Sequence, residues 1–523
     1  MKRNLLKVIG ISFLIFVVLS WIIPVGTYSN GELTTNGTDP VGLFDLFSVP
    51  ISTLLTFALY AVVFAAIGGL YGVMEKSGAL EIWVEKITKK FNGKEKGFLI
   101  FTVIFFVILS SITGLVLPLF ALVPLFAAVI FALNYDKITA LASTVGAILI
   151  GSVCSTYGFN VTGYTKNILS LDMNNEIWAK LLLLVLLTIA LAYFVVKFGK
   201  RVIPAKTEKA EKSEPKKVVK AEKTTTKKKA KTEPTKTAKS TAKKQTTKKT
   251  TKKTTTKKNT QNMAVAKDVK KVDVKKTISI VPLVIIITLM ILVSFIGMYN
   301  WYYSFNIEWF NDIHTSVMGV KIGDYAIFEH LFSSISQLGY WGNVEFVTVM
   351  IIAAALIAWV YRVGFNGFID SFIAGVKKML PTAICAALAS VILTVLYQAS
   401  YSGMGTIVDT MYAKAFELSD GFNVVITGLV SLVGSFFYND LYYLLAGMSP
   451  FLTSFDADSL QIAGLLIQSV ASLGMIIFPT SVILIAGLSY FNVSYKSWIK
   501  YIWKFALAVF LVILLVCCIL TVM

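Results

Sequence analysis

Residues 469–488 read SVASLGMIIFPTSVILIAGL. Both flanks are apolar enough for a bilayer, but the centre holds Gly474, Pro479, Thr480 and Ser481. Glycine weakens a helix, and proline removes a backbone donor. No water repairs such a break in lipid. Non-helical backbone survives there only inside protein or beside a polar cavity. The stretch therefore predicts a broken membrane helix with a polar site at the break.

Working outward, the whole chain reads as a membrane protein. Its 523 residues are 56% hydrophobic and 15% charged, with a mean hydropathy of +0.72. A soluble domain carries about 25% charged residues. Apolar runs recur at 9–23, 54–74, 98–109, 180–196, 278–298, 347–360 and 505–522. A span takes about 20 such residues. The first run follows the basic MKRNLLK and ends in WIIPVGTYS, without a small-x-small cleavage site, and reads as a retained helix. The expectation is an all-α polytopic protein with about 10–12 transmembrane segments, in two repeat halves with re-entrant hairpins and broken helices.

Charge divides the chain. Residues 200–276 hold 28 Lys/Arg against 7 Asp/Glu, so this tract carries +21 of a total of +20 and the remainder carries −1. The tract is a Lys/Thr-rich, low-complexity run that cannot bury enough apolar surface to offset chain entropy. It predicts a disordered cytoplasmic linker between a membrane half at 1–199 and another at 277–523. Anionic lipid is its expected contact beyond solvent; without interleaved aromatic residues, nucleic acid is disfavoured. Short basic clusters at residues 1–7 and 86–96 and at Arg362, Lys377 and Lys378 predict cytoplasmic positions, the N-terminus included.

The halves open alike. GLFDLFSVPISTLL and AIFEHLFSSISQLG each precede a span, a charged residue before glycine, and lysines, about 285 residues apart. The clusters that follow suggest one orientation for both halves. Each half also holds interrupted apolar segments: 109–124 and 150–167 in the first, and 397–411, 432–450 and the opening stretch in the second. Broken helices leave free N–H and C=O groups that ligate anions or Na⁺. Paired interruptions in two halves point to a transporter's binding site. Small residues at these places also serve close helix packing. The candidates for substrate or ion binding are Gly474, Pro479, Thr480 and Ser481; Ser152, Ser155, Thr156 and Asn160; Ser110, Ser111 and Thr113; and Asn439. Asp409 and Asp440 join them as ionisable groups in apolar context, with a helix end at the water interface as the alternative.

Other chemistry finds little support. Cys154, Cys385, Cys517 and Cys518 lie in apolar runs and read as packing residues. His314 and His330 fall in one loop without a metal-ligand cluster, so no metal is assigned beyond a Na⁺ at the breaks. No HExxH, Ser/His/Asp set or Walker motif appears, which argues against an enzyme or an ATP-driven pump. A secondary transporter needing no cofactor other than Na⁺ or H⁺ remains, with a scaffold or receptor acting through the basic linker as the alternative.

The C-terminal stretch resembles the signature of YfcC-type carriers, grouped with the C4-dicarboxylate anaerobic carriers of the ion transporter superfamily. The matching residues are Gly474, Phe478-Pro479-Thr480-Ser481, Ala486-Gly487-Leu488 and Trp498-Ile499-Lys500. WIIPVGTY at 21–28, YGVMEKSGALE at 71–81 and GTIVDTM at 405–411 are similar to further family motifs. The resemblance implies two opposed repeats around a central site, cation-coupled movement of a small amino acid, peptide or carboxylate, and a homodimer. The chain departs from the family at ITGLVLPLF, which lacks acidic residues, and at GSFFYNDLYYLL, which replaces a serine-rich hairpin.

Overall fold

A chain in lipid must satisfy its backbone internally, so the spans are helices. The computed structural model describes residues 2–29, 31–171, 176–202, 278–332, 335–402, 405–419 and 421–523. The linker expected at 200–276 lies almost wholly outside them. Among the described residues, nine helices are long and apolar enough to cross a membrane. Their periodicity separates lipid from core. Ile177–Phe198 buries Leu183, Leu187, Leu191 and Val195 at a spacing of four, and exposes Leu182, Val185, Leu186 and Ile189. The described strands form two short antiparallel pairs, Gly26–Ser29 with Glu32–Thr35 and Lys321–Ile322 with Tyr325–Ala326.

Each half ends in the same three-part unit. In the first, Glu95–Thr113 turns at Gly114 and returns as Val116–Ala132. Gly114 has φ +67°, the left-handed cap that stops a helix and that glycine adopts without strain. A broken helix follows, Lys137–Val153 and Phe159–Leu169, and then Ile177–Phe198. In the second half Val424–Phe437 turns through residues 438–440 into Leu441–Leu452. Ala457–Ile477, broken from Val482–Phe491, and Tyr495–Leu520 complete it. Both hairpins are re-entrant, because their tips meet the mid-membrane breaks. Gly114 lies against Gly158, and Asn439 bonds to the Thr480 carbonyl.

The broken helices cross in opposite directions. A Cβ on Gly464, early in the second, would stand 2.9 Å from Leu171 Cδ1, just past the end of the first. Ser152 and Ser472 are hydrogen-bonded midway, Oγ to Oγ, at 3.1 Å. Gly487, late in the second, stands against Leu141 and Val145, early in the first. The halves are therefore inverted, which corrects the common orientation that the basic clusters suggested. The hairpins open on opposite faces. The first is tied at its base by the Glu95–Arg201 ion pair at 2.7 Å and by Asp136 N–H donating to Lys200 O. The second ends beside Tyr28, whose ring stacks on Phe451 at 4.2 Å.

The physical reason lies between the similar openings and the hairpins. The tips Gly114 and Asn439 are 325 residues apart, not about 285. In the second half the lysines fall within a long helix, Phe365–Leu388, instead of ending one, and Val391–Ser402 and Ile407–Phe416 are added. The extra helices carry the chain to the other face before the hairpin begins.

Candidate functional site

Each hairpin tip closes on the break of its own half. At the first, Ser111 Oγ donates to Cys154 O at 2.6 Å and lies 3.2 Å from Thr156 Oγ1. Thr156 N–H donates to Ser111 O, and Ser110 Oγ donates to Ile148 O. Asn160 Nδ2 donates to Gly114 O at 3.3 Å. Thr113 Oγ1 shapes the tip by accepting from Leu115 N–H. Ser110, Ser111 and Ser155 are wholly buried. Ser111, Ser155, Thr156 and Asn160 therefore sit in one network that satisfies backbone groups at the tip and the break, while Ser152 bonds to Ser472 across the halves.

The second break is closed differently. Pro479 follows the C-terminal end of Ala457–Ile477, whose last carbonyls have no helical partner. Trp498 Nε1 donates to Ile476 O at 2.9 Å, and Tyr495 OH donates to Ile477 O at 2.8 Å. Ser481 Oγ accepts from Leu484 N–H and caps the returning helix. Asn439 Nδ2 donates to Thr480 O at 2.7 Å and to Ser390 Oγ at 3.2 Å. Gly474 admits the hairpin, since a Cβ there would collide with Ser435 Oγ. Amid these satisfied groups the Thr480 hydroxyl is buried without a hydrogen-bond partner among the described residues.

The first break packs against the second broken helix. Gln468 Nε2, from the second broken helix, donates to Ser155 O at 3.4 Å in the first. Sequence reasoning missed Gln468 and Ser472; a lone amide in an apolar helix was the available signal. It also missed Tyr495, Trp498 and Ser390, whose roles emerge only in three dimensions. Asp440 stands at the second tip, where its Oδ1 accepts from Tyr442 N–H at 2.8 Å. Asp409 stands elsewhere. It forms a capping box with Thr406, beside the Gly26–Thr406 bridge and the Thr410 Oγ1 bond to Pro24 O. Among the described residues no group of three or more His, Cys, Asp or Glu could hold a metal ion.

A family model described as the C4-dicarboxylate anaerobic carrier matches residues 4–238 and 238–523. The chain belongs to the C4-dicarboxylate anaerobic carrier family. It is accordingly a multi-pass membrane carrier and not an enzyme. No curated protein matches this carrier in sequence at a significant level. Among solved structures it is similar to the Alcanivorax borkumensis YdaH transporter. The identity is 14%, the coverage 97% of this chain and 96% of that one, and the TM-score 0.32.

Proposed function

We propose that this carrier is a secondary active transporter moving a small amino acid, peptide or carboxylate across the cytoplasmic membrane, coupled to Na⁺ or H⁺. The Thr480 hydroxyl carries the reading: it is buried and unpartnered at a helix break, beside an amide-bearing hairpin tip. An unmet buried hydroxyl costs roughly 1–3 kcal/mol, which an ion or substrate ligated there would offset. Thr480 and Ser481, set by Gly474, Pro479 and Asn439, are the second-half ligands. Ser110, Ser111, Thr113, Ser152, Ser155, Thr156 and Asn160 build the first-half counterpart. Hydroxyl and carbonyl oxygens are the donors that alkali cations take at unwound helices.

The C-terminal motif around Pro479 supports the YfcC-type branch, and the oppositely directed broken helices support repeated halves at 1–199 and 277–523. The face holding Lys94, Lys137, Lys200 and Arg201 is read as cytoplasmic, together with the N-terminus and the tract 200–276. Contact of that tract with anionic lipid, and a homodimer, complete the proposal. Thermal unfolding of the purified protein tests the coupling ion. A site for Na⁺ raises Tm with NaCl over choline chloride, and Thr480→Val removes that rise. A shift equal in both salts removes Na⁺ from the account and leaves H⁺.

A further inference from the structure

Asp440 is the single charged residue at either hairpin tip. One oxygen accepts from Tyr442 N–H. The ion pairs among the described residues are Glu85–Lys89, Glu95–Arg201 and Glu75–Lys378, so no Lys or Arg neutralises Asp440 there. A carboxylate at membrane depth without a counter-ion is costly and marks function.

Its surroundings are tyrosines. Tyr442 and Tyr443 follow Asp440 at the start of Leu441–Met448, and Tyr164 faces them from Phe159–Leu169. The Tyr164 ring meets Tyr442 edge-on at 5.4 Å, and Tyr442 meets Tyr443 at 5.3 Å. They come from both halves: Phe159–Leu169 and Leu441–Met448. Phenol oxygens accept from N–H donors, and tyrosine faces attract cations. A carboxylate among tyrosines is the chemistry of an ammonium site. It repels a second carboxylate, so a simple dicarboxylate gains nothing from it.

On the transporter reading above, we propose that the substrate carries an ammonium group, held by Asp440 among Tyr164, Tyr442 and Tyr443. The substrate class is then an amino acid or short peptide and not an unsubstituted dicarboxylate.

The test is counterflow exchange in proteoliposomes of the full chain, which needs no imposed gradient. Labelled probes are offered as matched pairs: succinate against aspartate, propionate against alanine, hexanoate against lysine. The ammonium-bearing member of at least one pair should exchange, and its partner should neither exchange nor compete. Asp440→Asn keeps a helix-capping side chain and should raise the half-saturation concentration at least about tenfold. Tyr443→Leu should raise it roughly two- to tenfold, with Tyr443→Phe near wild type. Two results overturn the inference while transport stands. One is equal exchange of the partners that lack nitrogen. The other is an Asp440→Asn protein that exchanges with unchanged half-saturation but no longer accumulates substrate along a gradient, which assigns Asp440 to the coupling ion. No exchange by any probe, from protein that unfolds cooperatively, overturns the transporter reading and this inference with it.

Discussion

Thr480 and Ser111 show how two hydroxyls in similar places carry opposite loads. Ser111 bonds to the Cys154 carbonyl and approaches Thr156, so it holds the first break together. Thr480 spends its carbonyl on Asn439 and leaves its hydroxyl unmet. Removing an unmet buried hydroxyl while keeping its shape relieves a desolvation cost. Thr480→Val is therefore expected to unfold at the same temperature as wild type or slightly higher, in the absence of Na⁺. Its uptake should nevertheless fall by at least about tenfold, the equivalent of 1.4 kcal/mol of lost ligation. Thr480→Ser should keep most of the activity. A Thr480→Val protein with wild-type uptake would remove this residue from the site. Thr480 was legible in the sequence because a polar pair beside a proline is out of place in an apolar run. Gln468 was harder to read, since its donation to Ser155 crosses 313 residues.

At the scale of elements, the second broken helix is held open by partners it does not contain. Pro479 stops the helix, and the indole of Trp498 and the phenol of Tyr495 take the carbonyls it leaves. The family-like Trp498-Ile499-Lys500 segment thus belongs to the architecture of the break. Asp409 illustrates a second kind of element. The sequence placed it in apolar context; the structure makes it the capping partner of Thr406 in a clasp against Gly26. Burial raises its pKa from 3.8 to about 6, and the Thr406 donors lower it by less. The folded chain then holds this proton more tightly than the unfolded chain. Its stabilising contribution is complete below about pH 4 and disappears as pH rises through about 6. Thermal unfolding across pH 4–7 should show wild-type stability falling in that window more than Asp409→Asn does. Parallel curves would show that Asp409 has no raised pKa.

At the scale of the molecule, the inverted halves are the part least legible from sequence. The hairpins, the breaks and the membrane class followed from composition, glycine, proline and hydroxyl placement. Orientation did not, because basic clusters report the face at one point of the chain and say nothing of how it travels afterwards. Lys377 and Lys378 matched the first half's lysines but lie inside Phe365–Leu388, and two further helices follow before the hairpin. Single cysteines at the hairpin bases test this arrangement. Lys94→Cys and Ser454→Cys, on a background with the four native cysteines replaced, should react with a membrane-impermeant maleimide from opposite sides. Labelling of both from one side would contradict the inversion. The central claim, that two broken helices and two hairpins form a coupled transport site, is tested most directly by uptake. Reconstituted protein would be given imposed Na⁺ or pH gradients and labelled amino acids, dipeptides and dicarboxylates. Concentrative uptake of at least one substrate that requires one of the gradients is the predicted result. Absence of gradient-dependent uptake across the panel, from protein shown to be folded, would contradict it.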